Sequence, residues 1–264
     1  MFNKGLSYSA INIARSAISF FAPSSNGVKL GANPIIVRFM VGVRNSRPRL
    51  SRYVATWDVD LVLGLLMEFW PLKVLPLPLL VRKLVTLFLL VTSYRIQTLR
   101  ALKVSNMLWV KEDLCVFVLD QKLKHTRDKN LGYISLTGYS PNPRLCIIKC
   151  LKEYVRRTRD LRGELDFLVL TTVKPYRQAS HDTIGNWVTK TLSESGIDTT
   201  SFKPHSTRSA STSKYLSLKI PVEQILKKAD WAAESTFRVY YDKQILPKGD
   251  ISQVMLNNFL KNNK

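Results

Sequence analysis

The sequence predicts a mainly helical chain with a small β-sheet, an α+β architecture in which a short helical unit precedes a larger mixed domain. Three observations lead there. Apolar residues recur at helical spacing in segment after segment. Two short stretches rich in β-branched and aromatic residues flank a basic turn. Between the two parts lies "RNSRPRLSRY" (44–53), basic, proline-containing and poor in apolar residues, which reads as a linker with a boundary near residue 52. With 45% hydrophobic residues in 264, the chain is long and apolar enough to bury a core, which excludes a disordered protein.

The elements follow in order. In "SYSAINIARSAISFFA", Ile11, Ala14, Ile18 and Phe21 recur at helical spacing. "APSSNGVKLGA" is turn-rich, and "NPIIVRFMVGV" opens a second helix with Asn33 as N-cap and Pro34 at the first helical position. Beyond the linker, "TWDVDLVLGLL" starts a helix with Thr56 as cap and Asp58 and Asp60 at the positive end of its dipole. "LVRKLVTLFLLVTSYRIQTLRAL" reads as one core helix turning polar at its end. "DLCVFVLD" (113–120) and "LGYISL" (131–136) read as strands around a basic hairpin tip, "QKLKHTRDKN". "RLCIIKCLKEYVRRTRDL" is an amphipathic helix with a basic face, "LDFLVLTTV" a candidate strand, and "HDTIGNWVTKTLSES" another helix. In "IPVEQILKKADW" a helix begins at Pro221, with Val222, Ile225, Leu226 and Ala229 on one face.

Charge narrows the partner. Forty Lys and Arg against nineteen Asp and Glu leave +21, which favours a polyanion, either nucleic acid or an anionic membrane surface. The greasiest stretch, Leu61 to Tyr94, is broken by four charged residues and three prolines, and its longest clean run is too short to span a bilayer. It reads as a buried helix, and no membrane partner is expected. "MFNKGLSYSA" lacks the apolar run of a signal peptide. Three cysteines without a CxxC pair suggest neither a disulfide framework nor a zinc site, in keeping with a reducing intracellular setting. The sequence has no P-loop and no clustered carboxylates, which counts against transposases and nucleases that use metal ions.

Five short elements carry chemistry: "SYRIQTL" with Arg95, "KLKHTR" with Lys124, "HSTR" with His205 and Arg208, "ADW" with Trp231, and "TFRVYY" with Tyr240 and Tyr241. Each alone is ordinary, although the spacing of His205 and Arg208 puts both on one helix face. In this order they resemble the tyrosine recombinase (phage-integrase-like) family. The phrasing "HSTRSASTSK" followed by "ILKKADWAAESTFRVYY" is most similar to recombinases of DIRS-type and Crypton-like eukaryotic mobile elements. Upstream, "YSAINIARSAIS" and "RPRLSRYVATWDVDLVLGLL" resemble the end of a core-binding domain and the start of a catalytic domain.

The resemblance implies a partial helical core-binding DNA-binding domain over 1–52 and a catalytic domain over 53–264. It implies a site-specific DNA recombinase that works through a 3′-phosphotyrosyl intermediate without metal, nucleotide or other cofactor. It further implies double-stranded DNA as partner, a homodimer or homotetramer on that DNA, and a nuclear location. The carried-over catalytic set is Arg95, Lys124 (with Lys122 as a register alternative), His205, Arg208, Trp231, and one of Tyr240 and Tyr241. Spacing of nine residues after Trp231 selects Tyr240, whereas the "TF-x-x-(aromatic)-Tyr" pattern selects Tyr241. Two departures stand out: Thr98 occupies a position often acidic in the family, and only two helices are evident before residue 52.

These residue types suit phosphodiester chemistry. Each arginine can fork two N–H donors onto non-bridging oxygens and stays charged. Lys124 suits protonation of the leaving 5′ oxygen. His205 suits handling the nucleophile's proton or donating to the phosphate, and the Trp231 indole N–H can only donate. The Ser/Thr run after "HSTR" is expected to contact DNA or to decorate a helix. The competing readings are a catalytically inactive or domesticated DNA-binding remnant, a type IB topoisomerase and an RNA-binding structural protein.

Overall fold

The computed structural model describes residues 1–22, 24, 27–48, 54–119, 132–231, 234, 237–238 and 241–246. The chain divides into two compact units, residues 1–52 and residues 53–264.

The first unit is a pair of helices, α1 (Tyr8–Phe21) and α2 (Pro34–Ser46). Ser7 caps α1 by accepting from the Ala10 N–H, and Asn33 caps α2 by accepting from Ile35 at 2.9 Å, with Pro34 at the first turn. The buried core is small: Ile11, Met40 and Val43, flanked by Phe2, Leu6, Tyr8 and Ile36. Of the α1 residues at helical spacing only Ile11 is buried, whereas Ile18 and Phe21 are exposed. Arg47 closes the unit, donating to the Leu6 carbonyl and lying 4.1 Å from the centroid of the Phe2 ring.

The second unit begins with β1 (Ala55–Thr56) and α3 (Val59–Glu68). Thr56 does not cap α3 as the sequence suggested. It lies in the strand, and the cap is Asp58, whose carboxylate accepts from the Asp60 N–H. Next comes α4 (Leu77–Thr92), buried along almost its whole length, as a helix apolar all round must be. Two charged residues share that burial. Lys83 donates to the Leu66 and Phe69 carbonyls at 2.8 and 2.7 Å, satisfying the end of α3, and Arg82 pairs with Glu194 at 2.5 Å.

The predicted continuous helix over 80–102 is instead two helices, α4 and α5 (Ile96–Ala101). The Thr92 hydroxyl donates back to the Phe88 carbonyl and accepts from the Tyr94 N–H, offering the backbone an alternative to another helical turn. Ser93 then takes a left-handed conformation with φ 57°.

A three-stranded antiparallel sheet follows, β2 (Met107–Lys111), β3 (Leu114–Val118) and β4 (Tyr133–Thr137), in that spatial order. Cys115, Phe117, Ile134 and Leu136 form its buried face. Strand β2 was not read from the sequence. Its Leu108, Trp109 and Val110 are all exposed, so no alternation marks it. The hairpin tip predicted at 121–130 lies outside the described residues.

Helix α6 (Ile147–Arg162) packs on α4 through Ile147, Cys150, Leu151 and Tyr154. The stretch 165–173, a candidate strand, forms only isolated bridges, Lys103 with Phe167 and Leu170 with Gln178. Side chains take part of its backbone groups: Arg162 donates to the Phe167 and Leu168 carbonyls, and the Leu170 N–H donates to the Tyr154 hydroxyl. Then come α7 (His181–Glu194), capped by Ser180, α8 (Ser206–Ser217) and α9 (Val222–Lys228). A last strand, β5 (Gln244–Ile245), pairs in parallel with β1. The result is a mainly helical unit with small sheets. Among the described residues no helix is long and apolar enough to cross a membrane. The three cysteines are free and buried.

Candidate active site

The break between α4 and α5 leaves Arg95 at the cap of a new helix, exposed and in extended backbone. Across from it, His205, also exposed, is the N-cap of α8, whose first turn carries Arg208, only 2% exposed. Both arginines and His205 line a cleft of about 470 Å³, together with Tyr94, His181 and Lys203.

Helix α8 has an unusual interior. Ser206, Thr207, Ser209, Ser211, Thr212 and Ser213 are all buried, although the sequence pointed to a surface role for this run. A buried hydroxyl needs a partner, and the partners explain the burial. Ser206 accepts from the Trp57 indole N–H at 2.8 Å, Ser211 shares a 2.7 Å bond with Ser93, and Thr212 donates to the Arg208 carbonyl. Tyr215 reaches the Leu90 and Val91 carbonyls at the end of α4. The Ser211 and Tyr215 bonds fasten α8 to the turn that presents Arg95. They set the two arginines relative to each other.

Helix α9 ends with Asp230 in a left-handed conformation, φ 53°, and the Trp231 N–H closes onto the Leu226 carbonyl at 2.9 Å. That turn brings Trp231 over Arg208, whose guanidinium carbon is 4.4 Å from the indole centroid. Tyr241 lies against the same group: its ring centroid is 4.6 Å from that of Trp231, tilted, and 6.3 Å from that of His205, edge to face, and the Arg208 guanidinium carbon is 5.6 Å away.

Electrostatically this is a place prepared for negative charge. Burial, and next the neighbouring Arg95 charge, hold the Arg208 pKa down to about 10, so it stays a cation at neutral pH while both effects act against it. Its Nη2 donates to the Ala229 carbonyl at 2.7 Å. Its Nε, and the Nε1 of Trp231, are buried donors without an acceptor among the described residues. Burial, and then the Asp230 carboxylate, raise the Tyr94 phenol above its usual pKa, so it remains a protonated donor at the cleft. An oxyanion held in the cleft would offset the repulsion between the guanidinium groups.

Of the residues singled out from sequence, Arg95, His205, Arg208, Trp231 and Tyr241 therefore gather in one place. Lys124, its alternative Lys122, and Tyr240 lie outside the described residues. Tyr94, His181 and Lys203 were not read from sequence. Tyr94 and Lys203 were legible only as near neighbours of Arg95 and His205. Thr98, the departure from the family pattern, is buried in α5, its N–H donating to the Arg95 carbonyl at 3.0 Å.

Comparison with known proteins fits this geometry. Residues 76–245 match the sequence model of the phage integrase family. No curated protein matches the chain. Among solved structures, the XerH site-specific recombinase bound to palindromic difH substrate superposes with a TM-score of 0.60 at 15% identity, over 90% of this chain and 65% of that one. The Tn1549 transposon integrase in complex with transposon right end DNA gives 0.54 at 14%, over 98% and 82%. A lambda integrase dimer bound to a COC′ core site gives 0.51 at 16%, over 92% and 75%. At such identities the likeness is one of fold, and the chain spans about 65% of the length of the XerH protein.

Proposed function

The chain belongs to the phage integrase family, and from that premise we propose that it is a site-specific DNA recombinase that cleaves and rejoins duplex DNA through Tyr241. The observation that carries this reading is the pair of buried donors without an acceptor among the described residues, Arg208 Nε and Trp231 Nε1, beside the Arg95 charge. A scissile phosphate supplies what they lack.

In the proposed reaction the Tyr241 phenolic oxygen attacks phosphorus as the bond to the 5′ oxygen breaks. The phenolic proton departs, the leaving oxygen takes up a proton, and a 3′-phosphotyrosyl bond remains. A 5′-hydroxyl of another strand reverses these steps and restores the phosphodiester. Arg95 and Arg208 hold the non-bridging oxygens, where negative charge builds as phosphorus becomes five-coordinate. Trp231 adds one N–H to the same oxygens but cannot exchange a proton. His205, at the mouth of the cleft near the tyrosine ring, handles the nucleophile's proton or donates to the phosphate. Lys124 is assigned the proton for the leaving oxygen.

The unit of residues 53–264 is the proposed catalytic domain, and residues 1–52 part of a core-binding domain. Double-stranded DNA is the partner, with assembly as a homodimer or homotetramer on it. The +21 charge supports this and makes binding steeply salt-dependent. The phrasing "HSTRSASTSK" with "ILKKADWAAESTFRVYY" supports an origin in a DIRS-type or Crypton-like mobile element, and hence a nuclear location.

The test is a nicked suicide duplex cut from DNA flanking the element, incubated with the protein and run on a denaturing gel. A covalent protein–DNA band lost in Tyr241→Phe and kept in Tyr240→Phe is the expected outcome. No band on a verified cleavage site, with salt-sensitive DNA binding intact, would replace this reading by a non-catalytic DNA-binding protein.

A further inference from the structure

We propose that Ser213, assisted by Ser209, is a positioning residue that holds the Tyr241 segment in place from within the same chain. The inference rests on Tyr241 as nucleophile. Both serines are buried, at 3% and 1% exposure, one turn apart on α8. The Ser213 hydroxyl donates to the Tyr241 carbonyl at 2.8 Å and accepts from the Lys243 N–H at 3.0 Å. A single side chain thus engages a carbonyl and the amide two residues on, as a neighbouring strand would. Ser209 donates to the same Tyr241 carbonyl over a longer 3.4 Å.

The segment is held on both sides of this clamp. Upstream, the Tyr241 N–H donates to the carbonyl of Phe237, a fully buried ring packed against Trp231. Downstream, β5 pairs with β1, and the Leu246 N–H donates to the Thr56 carbonyl at 2.7 Å. The clamp differs from these anchors because Ser209 directly follows Arg208 in the chain. The guanidinium that would bind the phosphate and the hydroxyls that hold the nucleophile's backbone therefore hang from one helix. Their separation is set by a rigid body. In-line attack needs that separation correct, since a misplacement of about 1 Å costs ~100-fold in rate.

The test uses the full chain. Single-turnover adduct formation at saturating suicide duplex should fall about 10- to 100-fold in Ser213→Ala, with DNA affinity and melting midpoint near wild type. Ser213→Thr, which keeps the hydroxyl, should recover most of the rate. Ser209→Ala should lose less, and the exposed Ser217→Ala nothing. Independently of activity, hydrogen exchange at the Lys243 amide should accelerate in Ser213→Ala. A rate within two-fold of wild type, or a loss only in proportion to weaker DNA binding or unfolding, overturns the proposal. Failure of the wild type to form any adduct overturns the recombinase reading alone. Unchanged exchange at Lys243 overturns the clamp alone.

Discussion

Two buried helices of the larger unit, α4 and α8, pack against each other and are held in different proportions by burial and by directed bonds. Helix α4 presents Leu80, Val81, Leu84, Leu87 and Phe88, all at 1% exposure or less, and is kept in place mainly by apolar burial, which has no direction, with Lys83 and Arg82 adding bonds to the end of α3 and to Glu194. Helix α8 presents hydroxyls, several of them tied to partners outside the helix: Trp57, Ser93 and the Tyr241 carbonyl. Burial fixes how firmly a helix is held, whereas directed hydrogen bonds fix where along and around its axis it sits. The helix that carries Arg208 is the one that needs its rotation set. Stability and alignment are thus divided between two neighbours.

That division can be broken from either side. The largest effect is expected in α4: Phe88→Ala should lower the unfolding free energy by about 3–5 kcal/mol in urea titration, through lost burial and a residual cavity. Next is Arg208→Lys, which keeps a cation but loses the forked donors and Nε. Suicide-substrate cleavage should slow by ~100- to 1,000-fold, while gel-shift affinity for duplex DNA changes little. Ser211→Ala should cost only about 1 kcal/mol in stability, because one hydrogen bond to Ser93 is lost. It should nonetheless lower the cleavage rate more than that figure implies, because the bond registers α8 against the Arg95 turn. Equal losses in both measurements would erase the distinction between the helices.

The smallest effect is a slope with pH. Burial pulls the Lys83 ammonium down to about 8, against an ordinary value near 10.4 in the unfolded chain. Above pH 8 the unfolded state therefore holds more protons than the folded state. The contribution of this group to stability rises as pH climbs from about 8 toward 10.4, and is constant below that window. Lys83→Met should remove that slope, measured as the difference between urea midpoints at pH 8 and pH 9.5 in the two proteins.

The same contrast explains what could be read from the amino-acid order. Apolar periodicity located α4, α6 and α7, and local cap chemistry located α2 at Asn33 and Pro34. Both signals lie within a few residues of the element they mark. The break at Ser93 escaped, because apolar residues continue past it into Ile96 and Leu99 and because Ser93, beyond the local Thr92 bonds, is held by Ser211, 118 residues away. The interior placement of the α8 hydroxyls escaped for the same reason: seven of its twelve residues are Ser or Thr, which looks like a surface until the distant partners are known. Around the cleft, Arg95, His205, Arg208, Trp231 and Tyr241 were legible through an ordered set of motifs. Tyr94, His181 and Lys203 belong to no such pattern and emerge only where α5, α7 and α8 meet.

The short parallel pairing of β1 with β5 gives the larger unit a mechanical character. Chain entering at Ala55 is bonded to Gln244 and Ile245 before it reaches any helix, and only Asp242 and Lys243 separate Tyr241 from that pair. Tension applied ahead of Ala55 is therefore carried first as shear across the strand that follows the tyrosine.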